Sequence, residues 1–498
     1  MANLPSKDVA DELIDRYLRT SESVYRILHV PSFRKDYDAL WLTEEEPGMV
    51  FLVQLKLVLA IGAVTYDETF SLRASAIHWV HGAQNWLSNP QFKSQLNIQS
   101  LQTNILLLVA REVTNVSGEL VWISAGSLFR TAVYMGLHKD PAHLSQKSMF
   151  AAEMRRRLWN TILELNLQFS MVSGGPPSMS LADFDTEPPR NLDDDQLVAG
   201  VAVPKPDGHF TQTSIAVALR KTFPSRLAIA KFLNDLGPRR TYEQALRLDA
   251  NLRASYKTLR QTVKGYNLNT VPSPSQFEIR VADHLMNYYL LSLHIPFLGS
   301  ASHDTTYAFS RKVVVETALK VWYAAQPPPL PSATILSGDP IPATDDFARL
   351  TTCGSGFFRT VTFQASILIA VEFKTQIREE EGLGPVPLRP DLVSVLDEAK
   401  SWSLRCVVAG ETNTKTYLFM SIISAQIQGL IKGLGRAELS ESLLRAAQEA
   451  EEVCIPILKD HAAQGQDAGA LDGLGQMSLN GQIEDWDFMV SRMWYPAN

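Results

Sequence analysis

Cysteine is scarce. The chain has 498 residues and only Cys353, Cys406 and Cys454, far apart and odd in number. Such a set excludes a disulfide framework and fits a reducing compartment. C-x-x-C and H-E-x-x-H are both absent, so no zinc ligand set announces itself. Basic charge is not in excess either: Lys plus Arg number 46 against 53 Asp plus Glu, a net charge of -7. A duplex reader needs several distributed phosphate contacts and usually a basic stripe, and neither is visible. The most apolar run, MVFLVQLKLVLAIGAV (Met49–Val64), is interrupted by Gln54 and Lys56. It falls short of a bilayer span and reads as a buried helix, so no membrane is expected as a partner. The first twenty residues, MANLPSKDVADELIDRYLRT, lack the basic and apolar blocks of a secretory signal.

Catalytic patterns are equally thin. CGSGF (Cys353–Phe357) places a cysteine where a nucleophile elbow needs its first glycine. GLGRAE and GLGQMS lack a third glycine and a preceding strand, so they read as helix ends or linkers. No phosphate-cradling loop appears. His78 and His81 can share a helix face, but no third ligand stands near them. Asp283, His284 and His294 lie on an aromatic helix with Tyr288 and Tyr289, where a core or pocket-lining role is expected. No catalytic, metal or DNA-contacting residue is assigned.

Helical periodicity is what the sequence does have. Hydrophobic residues make up 45% and charged residues 20%, an ordinary globular balance. Asp8 opens a first helix through roughly Ser21, and Met49–Thr65 gives a second, buried nearly all round. Val121, Ala125, Leu128, Ala132 and Met135 form one stripe, with Ser117 expected as N-cap and Gly136 as stop. The stretch 180–208 reads as loop, with an acidic cluster Asp193–Asp195. Four helical segments follow the proline-rich break at 326–342: Asp345–Ile377, Pro390–Ala409, Lys415–Gly433 and Ser440–His461. Strand-like alternation is scarce, so the fold is expected to be all-α, a large multi-helix body around one or two continuous cores.

The stretch MRRRLWNTILELNLQFSMVSGGPPSM (Met154–Met179) poses the sharpest question. Leu158, Ile162, Leu165 and Phe169 define an apolar face. Glu153, Arg157, Asn160, Glu164 and Gln168 fall on or near the opposite one, with Glu153 four residues before Arg157. Periodicity alone therefore predicts that Arg155, Arg156 and Arg157 lie on a solvated face beside acidic neighbours. Gly174, Gly175, Pro176 and Pro177 must end the helix.

Four blocks, in this order, resemble the fungal-specific transcription factor domain, the middle homology region of zinc-cluster regulators. SVYRILHVPSFRKDYDALW (Ser23–Trp41) resembles its first segment, with a short turn expected around His29, Pro31 and Phe33. SGELVWISAGSLFRTAVYMGLHKDP (Ser117–Pro141) resembles the central helix, ending in Gly136, Leu137, His138 and Asp140. The stretch from Phe150 to Met179 resembles the signature helix, carried by Glu153, Arg155, Arg156, Arg157, Trp159 and Pro176. DFDTEPPRNLDDD (Asp183–Asp195) resembles the following loop. Under this resemblance the arginines are a structural signature. One of them is expected to lock a helix or loop contact, with Asp193–Asp195 as the candidate partner, rather than to clamp a phosphate. The chain departs from the family at Asn166, Leu167 and Gly175, where many members carry an aspartate-arginine pair and an arginine. An apolar repacking is expected there.

The resemblance implies a regulatory body in the nucleus. Its expected partners are the transcriptional machinery or another DNA-binding regulator, a small-molecule effector, and a second copy in a homodimer. The family's six-cysteine zinc cluster cannot be built from three cysteines, so no cofactor and no zinc-cluster DNA reader is expected in this chain. The alternative function is a small-molecule-binding protein or enzyme of a biosynthetic pathway on the same scaffold; a third reading is a purely structural adaptor. The expected layout is a linker remnant at 1–22, the regulatory domain at 23–325, a proline-rich loop at 326–344, a further helical part of the same body at 345–464, and an acidic-aromatic tail at 465–498. In that tail Asp485, Trp486, Asp487 and Phe488 suit either an activation peptide, since acids keep aromatics available to a partner groove, or a C-terminal helix that docks Trp486 and Phe488 on the body.

Overall fold

The computed structural model describes residues 4–42, 47–89, 96–144, 148–198, 203–235, 241–269, 272–299, 304–327, 345–380 and 389–469. All regular elements among them are helices, so the chain is all-α. It divides into two compact units. One comprises Met1–Arg240, Leu246–Asp283 and Pro329–Thr360; the other comprises Thr241–Ala245, His284–Pro328 and Val361–Asn498. Asp485, Trp486, Asp487 and Phe488 lie outside the described residues.

The first unit begins with α1 (Lys7–Arg19), α2 (Ser21–Tyr25), α3 (Val30–Leu42), α4 (Met49–Ala63), α5 (Arg73–Ser88) and α6 (Ile98–Thr114). Helix α4 is the apolar run, and it packs against α1, α5 and α6. Its one buried amide, Gln54, donates to the Gln99 carbonyl at 3.2 Å and to Thr103 Oγ1 at 3.1 Å, which removes the penalty of burying it. Gly62 lets α1 come close, because a Cβ there would strike the Leu13 carbonyl. The His29-Pro31-Phe33 segment differs from its expected turn. Pro31 and Phe33 lie in the first turn of α3, where a proline's missing N–H costs no helical bond.

Next come α7 (Val121–Tyr134), α8 (Met149–Ser173), α9 (Asp194–Val198) and α10 (Ser214–Asn234). Val121, Ala125, Leu128 and Ala132 are buried as their spacing predicts, while Met135 is half-buried. Ser117 is not a side-chain cap: it takes φ +52 before a 3-10 turn, Gly118–Leu120, and Arg111 holds its carbonyl at 3.1 Å. Gly136 does end α7. It adopts φ +74, and the N–H groups of Gly136 and Leu137 return to the carbonyls of Val133 and Ala132, each at 2.9 Å. The 180–208 stretch is less loop-like than expected, since Asp194 opens α9.

The chain continues with α11 (Tyr242–Asn269), α12 (Gln276–His294), α13 (Ala308–Ala325), α14 (Asp346–Cys353), α15 (Phe357–Glu380), α16 (Pro390–Val408), α17 (Lys415–Ile431) and α18 (Arg436–Gly469). The single helix expected over Asp345–Ile377 is two, parted at Gly354–Gly356, where Gly356 takes φ +87. In the second unit α16, α17 and α18 pack together around Val407, Tyr417, Ala450 and Cys454. Trp322 and Trp402 meet edge to face there at 5.7 Å. His294, on the aromatic helix, is fully buried with Nδ1 2.8 Å from Ser310 Oγ. Among the described residues no single helix is long and apolar enough to cross a membrane.

Candidate functional site

Helix α8 is the centre of the site. The Ser148 hydroxyl accepts the Ala151 N–H at 3.2 Å to start it, and Gly174 at φ +66 stops it. Leu158, Ile162, Leu165 and Phe169 are buried as the periodicity requires. Glu153, Arg155, Arg156, Arg157, Glu164 and Gln168 are buried as well, so the solvated arginine face expected from the spacing is wrong. Charge can leave water when each group meets an opposite charge or a hydrogen bond. Here those partners come from both flanks of the chain.

Arg157 carries the deepest contact. Its Nη1 donates to Asp194 Oδ1 at 2.5 Å, and its Nε lies 3.4 Å from Glu153 Oε1. Arg26 Nη2 donates to the same Asp194 oxygen at 2.6 Å, and the Val30 N–H reaches the other oxygen at 2.9 Å. Burial alone would raise the Asp194 pKa, but the two guanidiniums outweigh it and hold the carboxyl below its ordinary value. Glu153 also accepts the Arg190 N–H at 3.1 Å; burial pushes it up, against the pull of Arg157 and Arg156. The partner of Arg157 is therefore Asp194, within the Asp193–Asp195 cluster.

Arg156 reads a different carboxylate. It grips Asp140 through Nε at 2.9 Å and Nη2 at 2.6 Å, a two-pronged pair. Asp140 also accepts the N–H groups of Ala142 at 2.8 Å and Glu187 at 3.0 Å. Burial raises its pKa, but Arg156 and these N–H groups win and bring it to about 2. Arg155 Nη2 donates to the Met135 carbonyl at 2.9 Å, a cation on the C-terminus of α7. The loop after α8 straps onto the Gly136–Asp140 segment. Thr186 Oγ1 donates to the Leu137 carbonyl at 2.6 Å, and the Asp185 N–H to the His138 carbonyl at 3.0 Å.

Several members of this constellation gave no signal in sequence. Glu22 is fully buried, accepting the Tyr17 hydroxyl at 2.6 Å and the N–H groups of Ile27 and Leu28 at 3.1 and 3.0 Å. Burial pushes it up to about 7 despite Arg26 and Tyr17. Arg226 pairs with Glu164 through both nitrogens of its fork, Nη2 to Oε2 at 2.7 Å. Gln168 then links Glu164, at 3.1 Å, to the Tyr25 hydroxyl, at 3.0 Å. The one sequence cue was a lone arginine in an apolar context, SRLAIAKF.

Trp159 forms the apolar counterpart. Its ring lies 5.4 Å from Phe129, 5.6 Å from Phe184 and 6.5 Å from His138. At the far end of α8, Pro176 is exposed and Gly175 is buried beneath the Trp122 indole, where a Cβ would clash. Asn166 donates to the Pro177 carbonyl at 3.3 Å, and Leu167 is fully buried. The described contacts at this end of α8 also include hydrogen bonds from Ser170 and Asn234 to the Gly175 carbonyl.

The family's zinc cluster does not fit the residues described here. Cys353, Cys406 and Cys454 are buried on three different helices, and Cys454 belongs to an apolar core. Among the described residues no group of three or more His, Cys, Asp or Glu could hold a metal ion.

Residues 14–221 match the family described as "Fungal specific transcription factor domain". The chain is 33% identical to the transcription factor opdR of Penicillium oxalicum, over 93% of this chain and 60% of that protein. It is 34% identical to the transcription factor lepE of Aspergillus flavus, over 92% of this chain and 56% of that protein. It is 30% identical to the aspyridones cluster regulator apdR of Emericella nidulans, over 68% of this chain and 46% of that protein. The chain thus spans about half to three-fifths of the length of these curated relatives. With every partner of Arg155, Arg156 and Arg157 lying inside the matched stretch, residues 14–221 are a fungal specific transcription factor domain.

Proposed function

We propose that this chain is the regulatory body of a fungal transcription regulator, working in the nucleus by binding rather than catalysis. The observation that supports it best is the coincidence of family match and buried network. Arg26, Asp140, Glu153, Arg156, Arg157 and Asp194 all fall within 14–221. Buried ion pairs add little net stability over apolar packing but penalise every arrangement that separates them. Such a network suits a body that must hold one defined surface for partners. Those partners are the transcriptional machinery or a second DNA-binding regulator, and DNA reading by this chain is not part of the proposal.

Two measurements test this. Fused to a heterologous DNA-binding domain in a fungal host, the full chain is expected to change reporter output, whereas the DNA-binding domain alone does not. Unchanged output at normal protein levels would count against a regulatory body. In vitro, the purified chain is expected to show no zinc-dependent, sequence-specific binding to short duplexes at physiological salt. Tight binding abolished by chelation would overturn the division of labour proposed here.

A further inference from the structure

Arg220 is a half-buried cation that makes no ion pair among the described residues. On α10 its guanidinium lies 4.9 Å from the Phe184 ring and 5.2 Å from the Phe223 ring. Among the described residues its one hydrogen bond, from Nη2 to the Thr186 carbonyl, is 3.3 Å long, and Nη1 is buried without a partner. Of the carboxylates that act on it, Glu164 is already gripped by Arg226 and Glu187 is exposed. Burial pushes the guanidinium down to about 10, so it stays cationic at neutral pH. The other arginines of the site each meet a carboxylate or a helix C-terminus; Arg220 meets aromatic faces.

The same aromatic cluster holds two more polar nitrogens without partners among the described residues. Phe184 bridges Arg220 to Trp159, whose indole Nε1 is buried with no acceptor, and the neighbouring His138 has a buried, unpartnered Nδ1. A buried polar nitrogen without a hydrogen bond keeps its full desolvation penalty, so a cluster of them needs an explanation. Exposure adds direction. Phe129, His138, Phe184 and Arg220 are half-buried while Trp159 is 1% exposed. Partly open aromatic and cationic groups therefore surround a buried indole. Aromatic side chains with a few polar groups among them are the usual make-up of a small-molecule site.

We infer that Arg220, Trp159, Phe184 and His138 form a binding site for a small organic anion with a planar apolar body. The carboxylate or equivalent anionic group pairs with Arg220, and the body lies against Phe184 and Trp159. The site follows from this geometry; only its use as an effector switch rests on the regulatory reading above.

Calorimetric titration of the full chain with 2-naphthoate and, separately, 2-naphthamide tests the site. The acid is expected to bind saturably and at least tenfold more tightly than the amide. Arg220→Met is expected to bring the two level, and Arg220→Lys to retain part of the preference. No saturable binding of the acid at millimolar concentration would overturn the site. So would equal binding of acid and amide, or full binding by a folded Arg220→Met chain. Because acid and amide are compared on the unaltered chain, the test survives an Arg220 variant that fails to fold. Saturable binding with no change in the fused-reporter output would leave the site standing and remove its regulatory use.

Discussion

Arg157 and Asp194 meet with both side chains out of water, Nη1 to Oδ1 at 2.5 Å across 37 residues of sequence. Arg26 closes on the same oxygen from 168 residues away at 2.6 Å. One carboxylate thus ties together the chain before α3, the middle of α8 and the first turn of α9. Asp194→Ala leaves two buried guanidiniums without their shared counter-charge, and about 3–5 kcal/mol of unfolding free energy should be lost. Urea titration of Arg157→Ala, Asp194→Ala and the double variant should show a coupling of about 1–3 kcal/mol. Additive losses would show that the pairing does not set the cost.

Gly175 is a second point of closure. Its carbonyl is held by Ser170 Oγ at 2.5 Å and Asn234 Nδ2 at 2.9 Å, so its backbone has no room to yield to the Trp122 ring. Gly175→Ala should cost about 1–3 kcal/mol through overpacking. In a Trp122→Ala background the same change should cost close to nothing. Thermal melts of the four chains check this, and an equal cost in both backgrounds would contradict the contact.

The crossing of α1 and α4 makes a paired prediction. A Cβ on Gly62 meets the Leu13 carbonyl, a backbone atom that cannot swing aside, whereas a Cβ on Gly82 in α5 meets nothing within 4 Å. Gly62→Ala should therefore destabilise by about 1–3 kcal/mol or more. Gly82→Ala should stabilise by about 0.5–1 kcal/mol, by helix propensity. Chemical denaturation reads both signs, and a neutral Gly62→Ala would be the decisive failure.

Stability should also depend on pH through Glu112, whose Oε1 caps α15 by accepting the Phe357 N–H at 2.8 Å. Burial raises its pKa from 4.5 to about 7. The folded state therefore holds the proton more tightly than the unfolded chain. This group's contribution is complete below pH 4.5 and is lost as pH rises to about 7, an effect on the order of 3 kcal/mol. Glu112→Gln should match the unaltered chain at pH 4.5 and exceed it at pH 8, with residual dependence from the other raised carboxyls, Glu22, Glu153 and Glu278. Asp140 works in the other direction, since its stabilisation exists above 3.8 and fades as pH falls toward about 2. A pH profile of unfolding free energy for both chains separates these windows, and identical profiles would exclude Glu112 as the source.

Periodicity and punctuation determined a great deal. The all-α class, the buried α4, the stop at Gly136 and the end of α8 at Gly174 follow from side-chain spacing and from glycine and proline geometry, which act over a few residues. The family blocks located the important helix. What the sequence alone misread was the environment of its arginines. Spacing of three and four identifies an apolar stripe, but it treats every charge as water-seeking, because the partner that neutralises it is invisible within the same turn. Asp140, Asp194 and Arg226 stand 16, 37 and 62 residues from Arg156, Arg157 and Glu164. Only the tertiary structure, which brings those charges together out of water, decides that the arginines of α8 are buried and that Arg220, among the described residues, faces aromatic rings without an ion pair.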